Sequence, residues 1–267
     1  MNHSVTILQL TDLHLLSDSN CTVMGMNPLH SFQAVIEHVR NNPITKNPDL
    51  IVVTGDISQD YSLGSYQHAY KLLKQFDCPV IGTTGNHDNP ESFSLFFGKP
   101  TLEFTELSHL TNWRILLVSS YLSQCIVGKI SEHDLAFLQN SLATNNTQPV
   151  IMFTHHHLLP IHSKWMDNIR IANAKDFINI VDRQQNLKAV VCGHTHQATS
   201  ADHRKVKYLT TPATSWQFAP RQERFKAAIT MPGYRWIKLH QDNSIETKVE
   251  RIKRNPKFLA DPQAPGY

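Results

Sequence analysis

Six short apolar runs in this 267-residue chain stop abruptly, and five of them break off into His, Asp, Asn or Gly clusters. Val5 to Leu10 runs into Thr11-Asp12, Leu50 to Val53 into Thr54-Gly55-Asp56, and Val80-Ile81 into Gly82 with Gly85-Asn86-His87-Asp88 just beyond. Val150 to Phe153 meets Thr154-His155, Ala189 to Val191 meets Cys192-Gly193-His194, and Ile115 to Val118 is the sixth run. Continuous apolar runs of this length fit strands buried on both faces, so the polar clusters mark the carboxyl ends of those strands.

Between the runs the period changes to that of helices. Ser131 with Asp134 makes a capping-box pattern ahead of a Leu135, Leu138, Leu142 stripe, and Asn173 with Asp176 reads similarly ahead of Phe177, Ile180 and Val181. Ser31 precedes Phe32, Val35, Ile36 and Val39, and Ser65 to Phe76 is helical in pattern. After about residue 205 strands dominate: Val206 to Thr210, Ala227 to Met231, Tyr234 to His240 and Ile245 to Ile252. Alternating strands and helices with a strand-rich end predict an α/β sandwich whose sheets are flanked by helices. One domain over residues 1–252 with a tail at 253–267 is the expected organisation.

A net charge of +3 disfavours a protein that coats nucleic acid or anionic membrane, and no apolar stretch approaches the ~18 residues needed to span a bilayer. Cys21, Cys78, Cys125 and Cys192 lie far apart with no CxxC pair, which predicts free, mostly buried thiols. With no basic segment, long apolar stretch or cleavage site ahead of Asp12, a cytoplasmic location is expected.

Ligands in open α/β sheets gather beyond the carboxyl ends of strands. The residues there are Asp12-x-His14, Gly55-Asp56-x-x-x-Asp60, Gly85-Asn86-His87-Asp88, His155-His156-His157 and Gly193-His194-x-His196. Carboxylates, imidazoles and an amide oxygen suit divalent transition metals, and seven or more ligands exceed what one ion uses. Two ions some 3.5 to 4 Å apart would use them all, clamping both oxygens of an in-line displacement at phosphorus. Each motif alone has a bland explanation, such as a turn for Gly-Asn-His-Asp; the ordered conjunction of five does not.

The pattern D-x-H, GD, GNH-D, H, GH-x-H resembles that of the calcineurin-like binuclear metallophosphoesterases from Asp12 to His196. Within them it is most similar to the bacterial class III cyclic-nucleotide phosphodiesterases, the cyclic AMP group, in ILQLTDLHL, VVTGDISQDYSLGSYQHAY, TTGNHD, THHHLLP, VCGHTHQ, LTTPATSWQF and PGYRWIKLH. The resemblance implies two packed mixed β-sheets with helices outside. It also implies two divalent ions (Fe, Mn or Zn) and hydrolysis of cyclic AMP to 5′-AMP by direct attack of a hydroxide held between them.

Carried over by position, the resemblance makes Asp12, His14 and His196 ligands of one ion, Asp56 the bridge, and Asn86, His156 and His194 ligands of the other. His156 is the member of the triplet two positions before the family's Pro, but Leu158 stands at that Pro position, leaving His155 and His157 as alternatives. His87 is implied to bind the phosphoryl oxygens alongside Asn86 and to protonate the leaving alkoxide. Asp60 and Asp88 read as carboxylates that orient ligand imidazoles. Trp216 and Phe218 either cover the sheet or stack on a purine.

The expected partner is a small cyclic nucleotide or a related phosphodiester such as a 2′,3′-cyclic nucleotide or glycerophosphodiester. Neither a membrane nor a nucleic-acid polymer is expected, since no Lys/Arg-rich strip adjoins the motifs. A phosphoprotein phosphatase is disfavoured by Gly-Asn-His-Asp and Asp60-Tyr61, where that branch has Gly-Asn-His-Glu and Arg-Gly. A non-catalytic scaffold on the same fold would require lost ligands, and none is lost. The oligomeric state is not legible.

Overall fold

The computed structural model describes residues 4–98, 103–106, 112–144 and 147–264. In chain order the first half contains β1 (Val5–Leu10), α1 (Pro28–Asn41), β2 (Leu50–Thr54), α2 (Leu63–Leu73), β3 (Val80–Thr83), α3 (Pro90–Phe97), β4 (Glu103–Glu106), β5 (Arg114–Leu117) and α4 (Glu132–Thr144). There follow β6 (Val150–Thr154), α5 (Lys164–Asp167), α6 (Ala174–Val181), β7 (Leu187–Cys192), β8 (Thr199–His203), β9 (Val206–Thr210), β10 (Gln217–Phe218), β11 (Ala227–Ala228), β12 (Gly233–Leu239) and β13 (Ile245–Arg251).

The strands form a five-stranded sheet, β13-β12-β1-β2-β3, and a six-stranded sheet, β4-β5-β6-β7-β9-β8, with β10-β11 as a separate pair. Both large sheets are mixed. β1, β2 and β3 run parallel while β12 and β13 are antiparallel; β5, β6, β7 and β9 run parallel, with antiparallel β4 and β8 at the edges.

Side-chain alternation distributes each apolar run between two layers. Val5, Ile7, Leu50, Val52, Ile237 and Leu239 meet Ile115, Ile151, Phe153, Ala189, Val191 and Leu209 between the sheets. The opposite parity, Leu8, Leu10, Ile51 and Val53, packs under α1, α2 and α3, including Phe32, Val35, Tyr66 and Phe93. On the far sheet Leu116, Val150, Met152 and Val190 pack under Leu138 and Leu142 of α4 and Phe177 and Val181 of α6. The α/β/β/α sandwich of the sequence reading is therefore present, and its strands read as apolar runs because they are covered on both sides.

The two sheets are tied together at the ends that carry the polar loops. Gln9, fully buried, donates from Nε2 to Thr54 Oγ1 (2.9 Å) and accepts from Thr211 Oγ1 (2.5 Å). Arg235, also buried, donates to Thr211 Oγ1 and to the Thr210 carbonyl at 3.1 and 2.9 Å. Burial in this setting pulls its guanidinium down to about 10.

Some local sequence expectations hold and others need correction. Ser131 does accept from the Asp134 N–H at 3.0 Å, but the Asn173 side chain spans instead to the Ile130 N–H and carbonyl, 3.1 and 2.8 Å away. Helix α1 begins three residues before Ser31, capped by Asn27, and Ser31 Oγ donates to the Thr214 carbonyl at 2.6 Å. Of the four cysteines, none paired, only Cys192 is buried. Beyond residue 252 the chain turns back, with Ala260 buried beside Met24 and Asp261 N–H donating to the Met24 carbonyl at 2.8 Å. Among the described residues no helix is long and apolar enough to cross a membrane.

Candidate metal centre

The loops after β1 and β2 continue side by side beyond the sheet. Asp12 N–H donates to Gly55 O (3.0 Å), His14 N–H to Asp56 O (2.9 Å) and Leu15 N–H to Ile57 O (2.9 Å). This carries the side chains of Asp12, His14 and Asp56 to one point. At Gly55 φ is +87°, and a Cβ there would meet Gly85 N at 2.5 Å and His155 Nδ1 at 2.6 Å, so only glycine admits the close approach of three loops.

Asp12, His14, Asp56, His194 and His196 all sit in the left-handed region, with φ between 47° and 64°. Non-glycine residues held there by surrounding structure cluster at functional sites. Backbone donors complete the framework: His194 N–H donates to Asp12 Oδ2 (3.0 Å) and His87 N–H to Asp56 Oδ1 (2.8 Å).

The imidazoles are oriented from behind. His14 Nδ1 donates to Gln59 Oε1, His155 Nδ1 to the Thr54 carbonyl and His196 Nδ1 to the Trp216 carbonyl, each at 2.7 Å. With Nδ1 carrying the proton, the Nε2 atoms of His14 and His196 present lone pairs inward. His14 Nε2 and His196 Nε2 face each other at 3.2 Å, His196 Nε2 lies 3.4 Å from Asp12 Oδ1, and His14 Nε2 lies 3.8 Å from Asp56 Oδ2. His155 Nε2 lies 3.3 Å from Asp56 Oδ2 and 3.2 Å from Asn86 Oδ1.

His156 and His194 lie alongside, ring centroids 4.4 Å apart, with both Nε2 atoms buried and without a hydrogen-bond partner. His157 turns away, its Nε2 3.4 Å from Asp167 Oδ1.

Electrostatics match a site built for cations. Burial drives His14 down to about 3, and His156 and His194 fall well below the normal imidazole range through burial and the neighbouring rings. Burial raises Asp12 and Asp56, but the imidazoles outweigh it and hold both below the usual carboxylate range, Asp56 well below. His155 alone is raised, to about 9: burial opposes its charge, and Asp56 overcomes that. Inward lone pairs 3.2 Å apart, two orphaned buried Nε2 atoms and two buried carboxylates are a donor set that a cation satisfies and that protein groups leave unsatisfied.

Among the described residues, four groups of three side chains bring their donor atoms within 4.8 Å of one another: Asp12-His14-His196, Asp12-Asp56-His155, His155-His156-His194 and His14-Asp56-His87. The structure therefore brings together every metal candidate read from the sequence, with Asn86 beside His155, the triplet's alternative to His156, which stands at the junction.

Other readings change. Asp88 orients no imidazole; it accepts from the Ile57, Ser58 and Gly85 N–H groups and from Tyr66 Oη, while burial, reinforced by Asp56, pushes its carboxyl up to about 7. Asp60 caps its own loop, accepting from Ser17 and Ser62 N–H. Trp216 and Phe218 are 1% and 2% exposed and lie behind the imidazoles, Phe218 stacked on His196 at 4.1 Å, so they offer no face to a purine. Gln59, Thr54 and the Trp216 carbonyl are the orienting groups that the sequence did not reveal. Gln59 sits inside the GDISQD motif, but a carbonyl has no sequence signature.

The chain belongs to the calcineurin-like phosphoesterases, whose family profile matches residues 5–198. It is 33% identical to the 3′,5′-cyclic adenosine monophosphate phosphodiesterase CpdA of Haemophilus influenzae, over 98% of this chain and 95% of that protein. Identity to CpdA of Escherichia coli K12 is also 33%, over the same shares of each. A dimetal phosphatase from Danio rerio has the same fold, with TM-score 0.64 and 14% identity over 93% of this chain and 99% of that one.

Proposed function

We propose that this protein is a metal-dependent phosphodiesterase that opens 3′,5′-cyclic AMP to 5′-AMP. The observation that carries the reading is the pair of facing His14 and His196 Nε2 lone pairs beside Asp12 and Asp56, each fixed by an outward Nδ1 hydrogen bond. Near-full-length similarity to two proteins named as cyclic AMP phosphodiesterases supplies the substrate.

In this reading Asp12, His14, Asp56 and His196 hold one ion, and Asp56, Asn86, His194 and a member of the His155-His156 pair hold the other. The 3.3 and 3.2 Å approaches of His155 Nε2 to Asp56 and Asn86 favour His155, whereas register against the family's Pro favoured His156. Mixed nitrogen and oxygen donors suit Fe, Mn or Zn. Bound there, two divalent ions supply an acidified water and neutralise charge that develops on the phosphoryl oxygens.

The protein's own groups do the rest. Asn86 and His87 line the cavity next to His194, and in this reading the phosphate lies against them. The Asp56-bound N–H of His87 fixes its backbone so that the imidazole protonates the ribose 3′ oxygen as the P–O3′ bond breaks. No covalent intermediate on the chain is needed. A cytoplasmic location, where four unpaired cysteines stay reduced, fits this reading.

The test is turnover of metal-reloaded protein on 3′,5′-cyclic AMP, 2′,3′-cyclic AMP and a glycerophosphodiester. Preference for the first is expected. Preference for either of the others replaces the substrate, and no turnover on any would make the chain a scaffold.

A further inference from the structure

The cavity that contains Asn86, His87 and His194 has a second, apolar end. It encloses about 760 Å³ including its mouth, and away from the polar side chains its wall is Ile126, Trp165, Met166, Ile169 and Phe225. Ligand pockets of this kind combine a few convergent polar groups with an apolar remainder. Ile126 is 59% exposed at the rim, so a large apolar side chain stands uncovered beside the candidate phosphate position.

Helix α5 and the 219–226 loop build most of that wall and are clasped to each other. Lys164 N–H donates to Gln222 O at 3.0 Å, and Gln222 N–H returns to Ser163 Oγ at 3.3 Å. Trp165 from α5 and Phe225 from the 219–226 loop then meet edge to face, centroids 5.4 Å apart at 71°. Both also rest edge to face on Phe218, at 5.1 and 5.4 Å, and Phe218 is stacked on His196. Helix α5 is further held by Asp167, which accepts from Ile161 N–H at 2.8 Å and approaches His157. The aromatic wall is thus registered against the metal centre through packed rings rather than hung on a free loop.

We propose that Trp165 and Phe225 form the nucleobase subsite of this enzyme, receiving the purine of the cyclic nucleotide while its phosphate lies against Asn86, His87 and His194. The inference rests on the phosphodiesterase reading above and specifies how that site chooses its substrate. The occupant is a flat, apolar-faced group joined to a phosphate: one end of the cavity is polar and the other aromatic, and a glycerol head group has nothing to place against the rings. The sequence left Trp216 and Phe218 either covering the sheet or stacking on a purine, and both lie behind His14 and His196. A neighbouring cavity of about 780 Å³, with Tyr61 and Tyr121 in its wall, shares Asn86 and Ile126 but reaches neither His87 nor His194. Two of the three groups proposed to hold the phosphate are therefore missing from its wall.

The test is calorimetric binding of 5′-AMP and ribose 5-phosphate to the metal-loaded protein, since the two ligands share a phosphate and differ by the base. Base stacking on an aromatic side chain corresponds to roughly five- to one-hundred-fold in affinity, so the wild-type protein is expected to prefer 5′-AMP by about that ratio. Trp165→Ala and Phe225→Leu should each move the ratio toward one, Trp165→Phe should retain most of it, and Tyr121→Ala should leave it in place. Should Trp165→Ala fail to fold, Phe225→Leu and Trp165→Phe still report. A wild-type ratio near one, a ratio unchanged in Phe225→Leu and in folded Trp165→Ala, or a collapse in Tyr121→Ala instead would overturn the subsite. The base preference is read without turnover. A protein that discriminates 5′-AMP through Trp165 yet does not hydrolyse cyclic AMP keeps the subsite and loses the reaction, and hydrolysis with an insensitive ratio does the reverse.

Discussion

The Trp216 indole lies stacked on the His14 imidazole, centroids 4.6 Å apart with 29° between planes, while its backbone carbonyl accepts from His196 Nδ1. One residue therefore fixes two inward-facing imidazoles, by ring packing on one and by hydrogen bonding on the other. Trp216→Ala leaves the carbonyl but empties the packing behind His14. Loss of so large a buried side chain typically costs ~3–5 kcal/mol, and loss of outer support weakens metal binding by roughly 10- to 100-fold. Thermal melting and metal titration should both register the change. If metal affinity held and only the KM for cyclic AMP rose, Trp216 would belong to the substrate site after all.

Gln59 tests the orientation argument more cleanly, because its side-chain oxygen accepts from His14 Nδ1 at 2.7 Å and can be replaced without touching the backbone. Gln59→Leu keeps the volume and removes the acceptor, freeing His14 to take the other tautomer. Affinity for the ion next to Asp12 should fall about 10- to 100-fold while melting of the metal-free protein changes little. Unchanged binding of both ions would show that the loop backbone, not Gln59, orients the ring.

His87 approaches Asp56 and His14, and it is also the imidazole that lines the cavity. His87→Ala is expected to retain both ions and to lose on the order of 10²- to 10⁴-fold in kcat, with a smaller loss on nitrophenyl esters, whose leaving groups need no proton. A bound-metal measurement separates this from a ligand role. Loss of one ion in His87→Ala would make His87 a ligand.

Much of this architecture is legible in the sequence, and the parts that are not share a cause. Strands β1, β2, β6 and β7 are buried on both faces and read as apolar runs. Edge strand β8, with the sequence TSADH and three of five residues exposed, carries no such pattern. The ligand-type residues are legible because Asp and His cluster after strands. Their supports are not, because the Thr54 and Trp216 carbonyls are backbone and any residue supplies one. Asp88 was misassigned for the complementary reason. A carboxylate beside histidines suggests an imidazole partner, yet it binds three backbone N–H groups and Tyr66, stitching the loops of Asp56 and Asn86 together. The choice within the His155 triplet likewise depends on how the chain twists as it leaves β6, which spacing does not reveal.

The account stands on Asp56 serving two ions at once. Metal content by mass spectrometry, measured together with cyclic AMP turnover while chelated protein is reloaded stepwise, tests it most directly. Activity should be absent without metal and complete at two ions per chain, and Asp56→Ala should lose both metal and activity together. Full activity at one ion per chain, or an Asp56→Ala protein that keeps its metal and its turnover, would contradict it.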